Sequence, residues 1–357
     1  MWAGGPIARL PPMRNQRSLV AAAGIAALLI PAGAAQAATK QVTIGPAKPL
    51  KGVQLVGFDA DFYPRKITIA KGDHLRFKWT TGFGDVVFVP KGQDAPSFAI
   101  PAGTVADAKD EAGADMWFNG QPTFAPNMEA LSPQGGKTID GSRIVGSGFA
   151  FDGPMKPWKV RFTKAGTYRL SSVLQPTKKL TVTVKKNRNG VPGKKADKRR
   201  VAKQVKASTK LAKKLVAFEG PKGNVVRAGN DAKGIAQIAF FPAKKTVKVG
   251  ETVKFAMSSH SIETHNVAFG PKPYLDAMPF LGPTLNPFVV YRSDAPGTAV
   301  SFDGANHGNG YFNTGVLDAD AHSPFPASDS VTFTKAGTYT YYCAVHGNDM
   351  KGEIVVQ

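Results

Sequence analysis

A single cysteine in 357 residues, Cys343, excludes any intramolecular disulfide framework. Acidic side chains are scarce as well, 25 against 46 Lys and Arg. No apolar run reaches the roughly 20 residues that a membrane-spanning helix needs. The nearest approach, residues 19–30, is 12 long, follows Arg14 and Arg17, and leads to Ala35-Gln36-Ala37. That pattern is an export signal with a small-x-small cleavage site, and Met13 is a candidate true start. Cleavage after Ala37 leaves 320 residues with a net charge of +18. The mature chain is therefore expected outside the cytoplasm, secreted or periplasmic, with no transmembrane segment. A lone thiol there is open to oxidation, so Cys343 needs a purpose, and metal ligation is one.

The excess of positive charge is local. Residues 185–214 hold 13 Lys/Arg and one Asp, whereas residues 38–184 and 215–357 together carry only +6. Basicity thus belongs to a linker more than to the folded blocks, which removes most of the case for nucleic-acid binding. Within it, residues 194–215 are strong helix formers, with Val201, Val205, Ala212 and Leu215 on one face. Such a thin stripe suits either a marginal helix or a disordered spacer. The expectation is a solvated, self-repelling spacer between two independent domains, with contact to an anionic cell-surface polymer as the sharper alternative.

The two blocks are copies. Phe62-Tyr63-Pro64 returns as Phe240-Phe241-Pro242, and Val86-Val87-Phe88-Val89-Pro90-Lys91 as Val267-Ala268-Phe269-Gly270-Pro271-Lys272. Phe162-Thr163-Lys164-Ala165-Gly166-Thr167-Tyr168 recurs letter for letter from Phe333 to Tyr339. Matches in one order point to a tandem duplication. Each copy reads as all-β: Leu75, Phe77 and Trp79 alternate with His74, Arg76 and Lys78, and Val253, Phe255 and Met257 repeat the pattern. With 38 Gly and 27 Pro for turns, the expected architecture is two Greek-key β-sandwiches. Strand-poor stretches at 93–138 and 271–310 look like matching loop insertions.

Chemistry concentrates near the C-terminus. Cys343-Ala344-Val345-His346 and Met350 offer a thiolate, an imidazole and a thioether from one loop, and Thr264-His265-Asn266-Val267 supplies a second imidazole. Two His and one Cys with a weak axial Met is the ligand set of a mononuclear blue-copper electron-transfer centre. A buried cysteine is often only a small hydrophobe, but this conjunction argues for a site. Zinc suits the same atoms less well, because no second Cys or carboxylate accompanies them.

On these motifs the chain resembles the cupredoxins, the plastocyanin-like family, across nearly the whole mature sequence, with the copper signature confined to the second copy. The resemblance implies copper held by His265, Cys343 and His346, Met350 as axial ligand, and Asn266 tying the two ligand loops together. One residue fewer separates His346 from Met350 than plastocyanins usually have. In the first copy Ser172 stands for Cys343, Gln175 for His346, Gly84-Asp85 for His265-Asn266, and Lys179 for Met350. That copy is expected to be metal-free.

The expected domains are a signal at 1–37, a degenerate domain at 38–184, the linker at 185–214 and the copper domain at 215–357. The function these imply is an exported carrier of single electrons, not an enzyme, working between unidentified redox proteins. A copper-binding or surface module without redox turnover is the alternative. A multicopper oxidase is disfavoured, since the six histidines form no His-x-His pair and one Cys cannot bridge a dinuclear centre. His74 is expected at the surface; His260, His307 and His322 lie in loops, with His307 near a possible docking face.

Overall fold

The alternation seen in the sequence becomes the two faces of strands. In His74–Trp79 the residues Leu75, Phe77 and Trp79 are buried, and in Thr252–Met257 so are Val253, Phe255 and Met257. The structure, a computed structural model, describes residues 36–82, 84–151, 153–320 and 323–357. The segment expected to be an export signal, apart from Gln36 and Ala37, and His322 lie outside the described residues.

Each copy forms two five-stranded sheets. In the first, one sheet orders Phe62–Tyr63, Thr39–Ile44, His74–Trp79, Trp158–Phe162 and Thr138–Ile139. Its mate orders Val145–Gly146, Val87–Phe88, Gly166–Ser171, Leu180–Lys185 and Lys66–Ala70. The second copy repeats both: Phe240–Phe241, Val225–Ala228, Thr252–Met257, Ser328–Phe333 and Val300–Phe302, then Phe312–Asn313, Ala268–Phe269, Gly337–Cys343, Gly347–Val356 and Lys244–Val247. Strand for strand, neighbours and directions agree. Each pair of sheets encloses its own core, around Phe77 and Phe162 in one and around Phe255 and Phe269 in the other.

The spacer expected between independent domains is not there. Residues Lys194–Val216 form one helix with Ser208, Ala212 and Leu215 buried. Val201, Val205, Ser208, Ala212 and Leu215 follow the 3.6-residue period of a single face. Leu50 of the first domain, Ala212 and Leu215 of the helix and Ile235 of the second domain share one apolar cluster. Burial of a side chain such as Leu215 stabilises by about 1.5–3 kcal/mol, and this face meets enough surface to dock the helix despite its charge. Gln204 fastens it further, donating to the Asp61 carboxylate and the Phe62 carbonyl while accepting from Arg65 N. Asp197, the helix's one acid, pairs with Lys40 at 2.6 Å.

The domains also touch directly, and residues 37–357 form one compact unit. Gly57–Asp59 of the first pairs antiparallel with Ile235–Gln237 of the second. Gly57 has φ 143°, and a Cβ there would lie 2.3 Å from the Ala236 carbonyl oxygen, so only glycine allows this approach. The strand-poor stretches are the second adhesive. The first contains a hairpin of Ala99–Thr104 and Pro122–Pro126, and its Val105, Met116 and Phe118 pack on Ala268, Leu275 and Tyr311 of the second domain. Trp117 donates from Nε1 to the Arg292 carbonyl at 2.8 Å, and Tyr291 from its hydroxyl to the Pro122 carbonyl at 2.6 Å.

His307 closes this contact with charge. Its Nδ1 lies 3.1 Å from Asp110 of the first domain, and its Nε2 lies 3.6 Å from Asp294. Asp294 and then Asp110 hold its pKa above the ordinary value against the opposing effect of burial. A raised folded-state pKa gives stability that is complete below the unfolded value and lost as pH rises through the folded one. His307→Gln should therefore lower the melting temperature more at about pH 6 than at about pH 9. A gap that stays constant across that range would remove the ion pairs from the account. His74, expected at the surface, is half-buried, and its Nδ1 has no hydrogen-bond partner.

Candidate metal centre

Two elements bring the predicted donors together. His265 lies just before strand Ala268–Phe269 and exchanges backbone hydrogen bonds with Leu317. Cys343 ends strand Gly337–Cys343, where a register shift at Tyr342/Cys343 opens the ladder and turns the chain toward His346. The Cys343 Sγ lies 3.7 Å from His265 Nδ1 and 3.5 Å from His346 Nδ1. All three donor atoms fall within 4.8 Å of one another. Cys343 and His265 are fully buried, and the His346 side chain is 15% exposed. Met350 is buried in the same core cluster as Cys343.

Asn266 joins the two elements. Its Oδ1 accepts from Ala344 N at 2.7 Å, and its Nδ2 donates to Asn313 Oδ1 at 2.9 Å. Asn313 in turn donates to the carbonyls of Phe288 and Tyr291. Both loops are therefore fixed by buried, satisfied amides, which holds the donors in place without help from an ion. Gly229, at φ 71°, lies under the His265 ring, and a Cβ there would come 2.5 Å from Nε2. That Nε2 is buried with no hydrogen-bond partner, whereas His346 Nε2 faces Glu263 at 3.8 Å.

The donor spacing passes a metric test. Bonds of about 2.0–2.3 Å to one ion, diverging by roughly 109–120°, separate a nitrogen from a sulfur by about 3.5–3.8 Å. The observed 3.5 and 3.7 Å agree. The electrostatics favour a cation too. Burial would raise the Cys343 thiol, but hydrogen bonds from His265 and His346 take it well below its ordinary value. Burial would lower His346, yet Cys343 and Glu263 push it up to about 10. The thiol is drawn toward its ionised form and the imidazole toward its protonated one, and a soft cation competes with that proton for the same lone pairs.

The first domain holds the same scaffold with other chemistry. Asp85, in the place of Asn266, accepts from Val173 N at 2.7 Å as Asn266 does from Ala344 N, and it also takes the Ser172 hydroxyl at 2.5 Å. The ladder corrects one correspondence. Leu170 pairs with Leu180 as Tyr341 pairs with Gly352, so the counterpart of Met350 is the buried Lys178, not the exposed Lys179. The turn of the first copy is one residue shorter. Lys178 lies 5.1 Å from the centre of the Phe62 ring, and burial brings its pKa down to about 8 against the pull of Asp85, Asp61, Glu263 and Asp59. The buried Lys178 thus stands at the register position of Met350. Among the described residues, the group of His265, Cys343 and His346 alone clusters in this way.

Sequence reasoning did not find Glu263 or Lys178, nor the contact of Gln175 with Glu263, which depends on the two domains meeting. Gln175 donates from Nε2 to Glu263 Oε1 across that junction. No helix among the described residues is long and apolar enough to cross a membrane.

Residues 227–357 match the family model of copper-binding proteins of the plastocyanin/azurin family. No curated protein matches the chain. Among solved structures, it is similar to a mutant of amicyanin with Cu(I), at 22% identity and TM-score 0.21 over 37% of this chain and 80% of that one. It is also similar to oxidised plastocyanin from Dryopteris crassirhizoma, at 23% identity and TM-score 0.22 over 37% of this chain and 99% of that one.

Proposed function

We propose that this chain, a cupredoxin whose second domain carries the donor set, is an exported carrier of single electrons with one mononuclear type-one copper. The observation that carries this reading is the buried Cys343 Sγ at 3.5 and 3.7 Å from two imidazole Nδ1 atoms. His265, Cys343 and His346 would hold the ion, with Met350 as weak axial donor; copper there supplies a one-electron Cu(II)/Cu(I) couple. The chain's own part is rigidity and dryness. Asn266 pins the Cys343 loop, Gly229 admits the His265 ring, and the surrounding core excludes water, so the donors have little freedom to rearrange when the charge changes. The first domain, with Ser172, Gln175 and Lys178 in place of ligands, supplies no copper ligand of its own.

The test is Cu(II) titration of the full chain without its signal, followed by visible spectroscopy and potentiometry. One equivalent of copper, an intense thiolate band and a reversible one-electron couple are expected. A bound ion with no reversible couple would favour the copper-binding module without redox turnover.

The docked helix also supports the partner reading. Lys195, Lys198, Arg199, Lys203, Lys206 and Lys210 are all exposed on its outer side, while Asp197 is paired inward. An anionic surface polymer complements that stripe. Retention of the full chain on a cation exchanger should fall steeply as salt shortens the screening length from about 10 Å at 0.1 M. Charge reversal at Lys203 and Lys206 should weaken it without moving the visible band.

A further inference from the structure

The two imidazoles are treated differently on their far sides. His265 Nε2 is buried, unpartnered, and pressed toward Gly229. His346 Nε2 instead faces the Glu263 carboxylate at 3.8 Å through Oε2. The other oxygen of Glu263 accepts from Gln175 Nε2, which belongs to the first domain. Gln175 is 2% exposed, its backbone N–H is taken by Ser172 Oγ at 3.1 Å, and its Oε1 has no partner. A glutamine buried with half its amide unsatisfied costs stability. Its one side-chain bond is the one that aims Glu263. It also stands at the register position of His346, so the residue that replaced a ligand in one domain reaches the ligand of the other.

We infer that Glu263, aimed by Gln175 of the first domain, is a positioning residue for His346 that biases the site toward the more highly charged copper state. The inference rests on the copper reading above. A carboxylate behind a ligand imidazole fixes the ring and raises its basicity, and such outer partners are worth about 10–100-fold in metal affinity. Its negative charge, on a side chain only 20% exposed, favours Cu(II) over Cu(I). The first domain is then no bystander: its Gln175 holds the carboxylate in place.

The experiment compares reduction potentials of the full copper-loaded chain with those of three variants. Glu263→Gln keeps the shape and removes the charge. It is expected to cost Cu(II) about tenfold relative to Cu(I), a rise of about 59 mV for a one-electron couple. Gln175→Leu keeps the charge and removes its anchor, and a smaller rise is expected; it leaves the second domain's sequence intact, so it also serves should Glu263→Gln not fold. Glu219→Gln, at an exposed position, controls for net charge. The thiolate band should persist throughout, because no ligand changes. A wild-type chain without a reversible couple sinks the copper reading and this inference together. A wild-type couple with a Glu263→Gln shift no larger than that of Glu219→Gln overturns this inference alone. An unmoved potential in Gln175→Leu overturns the first domain's part in it.

Discussion

Cys343→Ser should remove the visible copper band completely and weaken copper binding by more than the roughly 10–100-fold that loss of an outer partner costs. The band requires a copper–thiolate bond, and the chain has one thiol. The first domain already shows what a serine does at this place. Ser172 gives its hydroxyl proton to Asp85, a carboxylate that the second domain replaces with Asn266. A serine at 343 would face a neutral amide, Asn266, where Ser172 faces a carboxylate, and would leave a neutral hydroxyl in place of the thiolate. The raised His346 pKa is produced partly by Cys343, so it would relax toward its ordinary value. Met350→Leu is the contrast, since a weak axial thioether contributes little to the colour. Stoichiometric blue copper surviving in Cys343→Ser would place the ion elsewhere and end the ligand assignment.

The clustering of His265, Cys343 and His346 was legible because much of its information is local. Cys-x-x-His lies in one turn, and the repeated Phe-Thr-Lys-Ala-Gly-Thr-Tyr aligned the two copies well enough to show Ser172 and Gln175 where Cys343 and His346 stand. The alternation at Leu75, Phe77 and Trp79 fixed the sandwich in the same way, since period two has one meaning for a half-buried strand. Lys178 was missed by one residue. Counting from Cys343 without a gap lands on Lys179, and only the ladder pairing of Leu170 with Leu180 reveals the shorter turn. The helix stood among the sequence readings, but its docking was missed, for a different reason. Thirteen cations dominate the composition of residues 185–214, while docking depends on a few small residues such as Ser208 and Ala212, which carry little hydropathy. Whether a thin stripe is buried depends on what faces it, here Leu50 and Ile235 from opposite sides of the helix in sequence.

The domain junction was the least legible feature, and it has the largest consequence for stability. Phe118 lies in a strand-poor stretch that sequence periodicity reads as loop, yet its side chain is fully buried. It stacks on Tyr291 at 5.6 Å and meets Phe288 edge-on at 5.3 Å, both from the second domain. Phe118→Ala should cost about 3–5 kcal/mol, the transfer loss plus the cavity that two fixed rings cannot fill. At this chain length that corresponds to a fall of roughly 6–10 °C in melting temperature. The form of the transition matters more than its midpoint. If the junction couples the domains, calorimetry of the wild type shows one transition, and Phe118→Ala moves all of it, although the substitution lies outside the second domain. The thiolate band of the copper-loaded chain should then bleach along the same curve, because the cluster holding Phe118 continues through Ala268 and Tyr342, next to Cys343. Two transitions, of which only one responds while the band follows the other, would mean that the domains melt separately. The second domain would then stand alone as the basic linker first suggested, and the contacts of Phe118, Trp117 and Gly57 would carry little of its stability.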